Sequence, residues 1–197
     1  YGVKMMSMFE HVKLSEKDIE GIMISSVVPS INFTIEHMCD DYFNVTPHFV
    51  EPGLKTGINN LYENPKELGS DRISNAVAAY TQYGSPCIFI DFGTATSFGV
   101  ISGKGNFMGG CILTGIRLAR EAVVTGTSKL PHFELNLPDK VIGRSTITNL
   151  QSGLLYGYVG QVNYLVERIK QEIGEDNATV VATGGFAHYI ADQSDAI

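Results

Sequence analysis

Basic residues are scarce in this chain: 14 Lys and Arg stand against 21 Asp and Glu, a formal net charge of -7 with a pI near 5.2. A nucleic-acid reader needs a basic face, so that class is excluded. Small anionic ligands are not, because their sites depend on local donors. Cysteine is scarce too. Cys39, Cys87 and Cys111 form an odd set without paired spacing, which excludes a disulfide framework and fits reduced thiols. No run suits a membrane span: Ser145 to Val166 carries no charge, but Asn149, Gln151, Gln161 and Asn163 interrupt it. A G-x-x-x-x-G-K-[ST] run is missing, which excludes a P-loop. Gly103 and Gly105 lack the third glycine of a dinucleotide fingerprint. Low-complexity tracts and short repeats are also absent. The opening Tyr1-Gly2-Val3 has no initiator Met and no signal-peptide pattern, and reads as a trimmed chain. A soluble, cytoplasmic protein is expected.

What is present describes a folded α/β protein. The 197 residues can bury one or two cores, and 44% hydrophobic content with 18% charge is that of an ordinary globular chain. Helical spacing is read over Val3–Val12, Pro29–Phe43, Ser70–Tyr83 and Ile147–Ile173, the last with a break near Gly157 or Gly160. A short helix is read from Ser15 to Gly21, and Leu130 to Gly143 as irregular. Strands are read at Ile22–Val28, Phe49–Val50, Cys87–Asp91, Phe98–Ile101, Phe107 and Thr179–Ala182. A turn at Gly103-Lys104-Gly105 makes a hairpin, Gly109-Gly110 is expected to open a helix to Val124, and Gly184-Gly185 another. Alternating strands and helices around a hairpin imply mixed sheets.

Two stretches carry chemistry. In the first, the apolar run Cys87–Ile90 delivers Asp91 into Phe92-Gly93-Thr94-Ala95-Thr96-Ser97. A carboxylate at the end of a buried strand wants a cation or a donor. Gly93 allows close approach, Thr94 and Thr96 add hydroxyls, and inward N–H groups could form an anion nest. Carboxylate, glycine turn and hydroxyls together suit a phosphate with its cation. A hairpin whose Asp merely caps the turn reads the run equally well. In the second stretch, Leu68-Gly69-Ser70-Asp71-Arg72, Ser70 is expected as N-cap and Asp71 in the first helical turn, where the macrodipole favours its ionised form. Ile73, Val77 and Tyr80 are expected on one face, with Asp71, Arg72 and Asn75 on another. Ordinary helix-end decoration also explains that pattern. Gly109-Gly110 and Thr183-Gly184-Gly185 could offer N–H groups to a nucleotide or simply turn the chain. Glu36, His37, Cys39, Asp40 and Asp41 lack metal-ligand spacing and read as a solvated helix end. Gly153 and Gly157 read as close packing against another helix, at a dimer contact or, by default, in the core.

Taken together, these motifs resemble the type III pantothenate kinases. The matching runs are Ile24-Ser25-Ser26-Val27-Val28-Pro29, Tyr62 through Asn75, Asp91 through Ser97, Gly109-Gly110, Thr146 with Gln151-Ser152-Gly153, and Thr183-Gly184-Gly185, in the family's order. The resemblance implies two ribonuclease-H-like halves, here 1–84 and 85–197, with mixed β-sheets flanked by helices. It places the chain in the actin-like ATPase superfamily, with ATP between the halves. The implied reaction is ATP-dependent phosphorylation of pantothenate to 4'-phosphopantothenate, the first step of coenzyme A biosynthesis. By position, Asp71 is the implied general base. Tyr62, Gly69, Ser70, Arg72 and Thr146 line the pantothenate pocket. Gly93, Thr94 and Ala95 cradle phosphates, Gly184 and Gly185 approach adenosine, and Asp91 holds a monovalent cation (K+ or NH4+). Mg2+ and a homodimer completing the site are implied as well; nucleic acid and membrane are not.

Three departures stand out. The family's opening D-x-G-N-T phosphate loop has no match before Val27, so the chain reads as truncated there and before its last helix. Ser97 and Gly99 replace the usual Thr and Asp. Thr114 stands where Pro is common, and is expected to loosen the start of the following helix. The missing loop keeps alternatives open: a non-catalytic pantothenate- or nucleotide-binding regulatory protein, or another small-alcohol kinase of the superfamily.

Overall fold

The computed structural model describes residues 1–197 and divides them into two compact units, Tyr1–Thr56 with Glu63–Ser74, and Gly57–Tyr62 with Asn75–Ile197. In the first unit, helix α1 (Gly2–His11) packs on helix α2 (Pro29–Phe43). Pro29 opens α2 with its φ already helical, and Asn44 ends it in the left-handed region at φ 51°. Strands β1 (Met23–Ile24) and β2 (His48–Phe49) pair in parallel. The core is small: Met38, Cys39 and Phe43 are buried, with Phe9 tilted against Phe43 at 5.5 Å between ring centroids. Cys39 therefore turns inward from its acidic neighbours, and burial raises its thiol pKa, with Asp40 adding to the shift.

The second unit is built on a six-stranded mixed sheet. Its strands are β3 (Asn59–Asn60), β4 (Cys87–Phe92), β5 (Ala95–Ile101), β6 (Asn106–Gly109), β7 (Ile112–Thr114) and β8 (Thr179–Thr183). They run in the order β3-β6-β5-β4-β8, with β7 also pairing β5. Central β4 is antiparallel to β5 and parallel to β8. Helix α3 (Ser70–Tyr83) starts in the first unit and continues into the second, which also carries α4 (Ile116–Thr125), α5 (Thr146–Ile173) and α6 (Ala187–Ala191). This is the mixed α/β class expected.

The strand period of two sorts β4. Ile88, Ile90 and Phe92 enter a core shared with Leu155, Tyr158, Val162 and Val166 of α5, while Phe89 and Asp91 point the other way. Those α5 positions repeat at three to four residues, which is why the sequence forms a helix there. Ser145 caps its start by accepting from the Thr148 N–H, and Gly174 ends it at φ 69°. The helix is unbroken through Gly157 and Gly160. Gly153 and Gly157 are exposed, with nothing near where a Cβ would stand, so they do not pack in the core as expected.

Gly109-Gly110 does not open a helix either. Both residues have positive φ, 130° and 156°, and they turn β6 into β7, whose residues pair with Ala95, Thr96 and Ser97 of β5. Thr114 consequently lies in a strand, and α4 begins only after Gly115. Gly99 also has a reason: in the β4–β5 register it faces Phe89, whose ring fills the space a Cβ would need.

Candidate active site

Asp91 is held at the meeting of three elements of the second unit. It pairs with Ser97 on β5 and Thr183 on β8. On the Phe89 face of the sheet, the side-chain amide of Asn75 donates to its Oδ2 at 2.9 Å. Gly184 follows Thr183 at φ 93°, and a Cβ there would stand 2.7 Å from Asp91 Oδ1 and from the Phe92 carbonyl. Only glycine combines that backbone with that approach. The carboxylate thus has one oxygen fixed by an amide, and the other faces the space that Gly184 leaves open.

The turn after Asp91 is braced from below. The Gly93 N–H donates to the Ala95 carbonyl at 3.1 Å. Gly115 lies flat against the Gly93 and Thr94 carbonyls, where a Cβ would collide. Thr94 and Ala95 are exposed, whereas Thr96 is buried. The Tyr158 hydroxyl bonds both Thr96 Oγ1, at 2.5 Å, and the Thr114 carbonyl, at 2.9 Å. Burial raises that phenol above its ordinary pKa, and the Thr96 bond partly offsets the shift. Of the two hydroxyls expected at the turn, Thr96 is therefore spent on α5 and Thr94 remains outward. Beside the turn opens a cavity of about 340 Å³, walled by Gly93 and Thr94, by Gly185 and Phe186, and by Arg117 and Glu121 of α4. That is within the size range of small-molecule sites.

In the first unit, Gly69, Ser70 and Asp71 come together at the start of α3. Ser70 is the first helical residue rather than the N-cap. The Gly69 carbonyl receives the Ile73 N–H, and the Ser70 hydroxyl donates to the Ser26 carbonyl at 2.8 Å, tying α3 to the Ser25–Pro29 segment. Asp71 lies in the first turn as expected. Its Oδ1 accepts the Arg72 N–H at 2.8 Å and sits 2.5 Å from where a Gly69 Cβ would be. Gly69 leaves room for the carboxylate to fold back.

Burial along α3 is uneven. Ser70, Arg72, Ala76 and Ala79 are the buried positions, while Tyr80 is 37% exposed and lies across the Gly105 turn. Small alanines let the helix lie close, and a bulky aromatic cannot. Arg72 is thus a buried cation at 7% exposure, not a surface ornament.

The sequence profile of the family described as type III pantothenate kinase matches residues 1–168. A type III pantothenate kinase of Bacillus cytotoxicus is 48% identical over all 197 residues, which span 75% of that protein. The chain belongs to the type III pantothenate kinase family. A crystal structure of a conserved Baf-family protein from Campylobacter jejuni superposes with a TM-score of 0.62 at 20% identity, covering 90% of this chain and 74% of that one. That likeness speaks for the fold alone.

Among the residues matched to the family's motifs, the second unit gathers Asp91, Gly93, Thr94, Gly184 and Gly185, and the first gathers Gly69, Ser70 and Asp71. Tyr62 and Thr146 lie outside the cavity. Tyr62 stacks on Phe107 at 5.9 Å, and Thr146 is the exposed first residue of α5. No three His, Cys, Asp or Glu side chains group into a metal cage. A single carboxylate such as Asp91 fits a hard cation only if the remaining ligands come from phosphate and water. Sequence reasoning missed Gly115, Tyr158, Arg117 and Phe186. Gly115, a glycine inside a stretch read as helical, was the one visible signal.

Proposed function

We propose that this chain transfers the γ-phosphoryl group of ATP to the primary hydroxyl of pantothenate, the first step of coenzyme A biosynthesis. The observation that carries this reading is the 48% identity across the whole chain to a type III pantothenate kinase. In it, Asp71 accepts the hydroxyl proton as general base. Tyr62, Gly69, Ser70, Arg72 and Thr146 bind pantothenate, with the buried Arg72 guanidinium suited to its carboxylate. Gly93, Thr94 and Ala95 receive the phosphates, Gly184 and Gly185 the adenosine, and Asp91 a monovalent cation. Mg2+, carried in with ATP, neutralises charge on the transferring group. Positioning and neutralisation are most of what such a reaction asks of a protein.

The finer fold belongs to the same proposal: two ribonuclease-H-like halves, 1–84 and 85–197, of the actin-like ATPase superfamily, assembled as a homodimer in the cytoplasm. No helix is long and apolar enough to cross a membrane. A coupled ADP-release assay with pantothenate as acceptor tests the function. Turnover is expected with the native chain, and a loss of roughly 10²–10⁴-fold in kcat with Asp71→Asn at unchanged thermal stability. Equal turnover by the two proteins would remove Asp71 from the mechanism, and absence of turnover by the native chain would remove the function.

A further inference from the structure

The cavity beside the glycine turn contains two charged side chains that none of the family's motif residues accounts for, Arg117 and Glu121 of α4. Arg117 stands in the first turn of α4, two residues beyond the glycine pressed onto the Gly93 and Thr94 carbonyls. That places its backbone next to the turn where phosphates are expected. Its Nε lies 3.8 Å from Glu121 Oε1, and a guanidinium nitrogen of Arg120 approaches the same oxygen, also at 3.8 Å. One carboxylate therefore answers two cations, and the cluster keeps one net positive charge.

The two arginines are not equivalent. Arg120 has a largely covered side chain, 24% exposed, and does not line the cavity. Arg117 lines it and is 67% exposed. Its pair with Glu121 is long and solvated, a kind that holds weakly. Arg117 can leave Glu121 without stranding that carboxylate, because Arg120 remains beside it.

A polyphosphate entering an acidic chain of net charge -7 needs a local cation. The backbone of the turn offers dipoles, and Arg117 offers a full charge with a forked donor geometry suited to phosphate oxygens. We propose that Arg117 is a nucleotide-binding residue of this chain, turning from Glu121 to the polyphosphate of ATP. The inference rests on the kinase reading for the identity of the ligand. It also makes its own demand: Arg117 must sense the phosphates and not the nucleoside.

Calorimetry on the full chain separates these cases, with MgATP and adenosine titrated into the native protein, Arg117→Gln, Arg117→Lys and Arg168→Gln. Arg168 lies on α5 and lines a different cavity, so it controls for loss of any one surface charge. Arg117→Gln is expected to weaken MgATP binding about tenfold, which corresponds to about 1.4 kcal/mol, with adenosine binding unchanged. Arg117→Lys keeps most of the affinity, and Arg168→Gln all of it. In turnover, KM for ATP rises with little change in kcat. Unaltered MgATP binding by Arg117→Gln would overturn the proposal, as would equal losses for MgATP and adenosine or an equal loss in Arg168→Gln. A native chain that binds MgATP through Arg117 but phosphorylates no pantothenate would defeat the kinase reading and leave this one standing.

Discussion

Asp91 and Asp71 are both carboxylates beside a glycine, but they are held in different ways. Asp91 stands on a central strand between Ile90 and Phe92, each no more than 1% exposed, with neighbours on both sides of the sheet. Asp71 is exposed at a helix start, in a unit whose small set of buried apolar side chains includes Met38, Cys39, Phe43 and Leu68. The first is positioned by long-range packing, the second by its own turn and the Ser70–Ser26 bond. A residue that binds a fixed ion gains from the first arrangement. A base that must meet a reacting hydroxyl can use the second, because its geometry is set within a few residues.

The sharpest way to break that comparison is to hollow each core in turn. Leu155→Ala, at a fully buried position of α5, is expected to cost about 3–5 kcal/mol in chemical denaturation. Met38→Ala in the smaller core is expected near about 2 kcal/mol, since its site is already close to solvent. Equal losses would mean that the two cores constrain their carboxylates alike.

A glycine pair sharpens the contrast. Gly184→Ala puts a methyl against the Phe92 backbone at a φ of 93°, and is expected to destabilise by about 2–3 kcal/mol. Gly69→Ala meets only the tip of the Asp71 side chain, so stability is expected to hold within about 0.5 kcal/mol. The carboxylate must still rotate away, and turnover should fall at least about tenfold. Thermal melts together with the ADP-release assay read both effects. A stability loss at Gly69 as large as at Gly184 would contradict a locally held Asp71.

The smallest expected effect concerns the buried side of β4. Burial raises the Cys87 thiol to about 11 from an ordinary 9.0. The folded protein therefore holds this proton more tightly than the unfolded chain, and the stabilisation is complete below pH 9. It is lost as pH rises from about 9 through about 11. Melting temperatures across that range should fall less steeply for Cys87→Ala than for the native chain. Parallel slopes would show that Cys87 contributes nothing to the alkaline loss.

Much of this was legible beforehand. The apolar runs marked β4 and β8, Pro29 and Asn44 bracket α2, and the α5 spacing shows its inner face. Asp71 in a first turn and Asp91 at a strand end were both placed by local pattern. The errors had a common source. Gly109-Gly110 looks like a helix entrance until β7 is seen to pair with β5, and Ser70 looks like an N-cap until it is seen inside the helix with its hydroxyl on the Ser26 carbonyl.

By itself, then, the sequence determined the α/β alternation, the ends of the long helices, the scarcity of basic charge and the family to which the chain belongs. Hydrophobic period and capping report interactions within a few residues, and those are written locally. Only the tertiary structure decided that Gly115 lies under the Thr94 carbonyl, that Gly184 makes room for Asp91, that Asn75 holds that carboxylate, and that Arg117 faces the cavity. Each joins segments far apart in the chain, or depends on how such segments close around a shared space, and no local period encodes that.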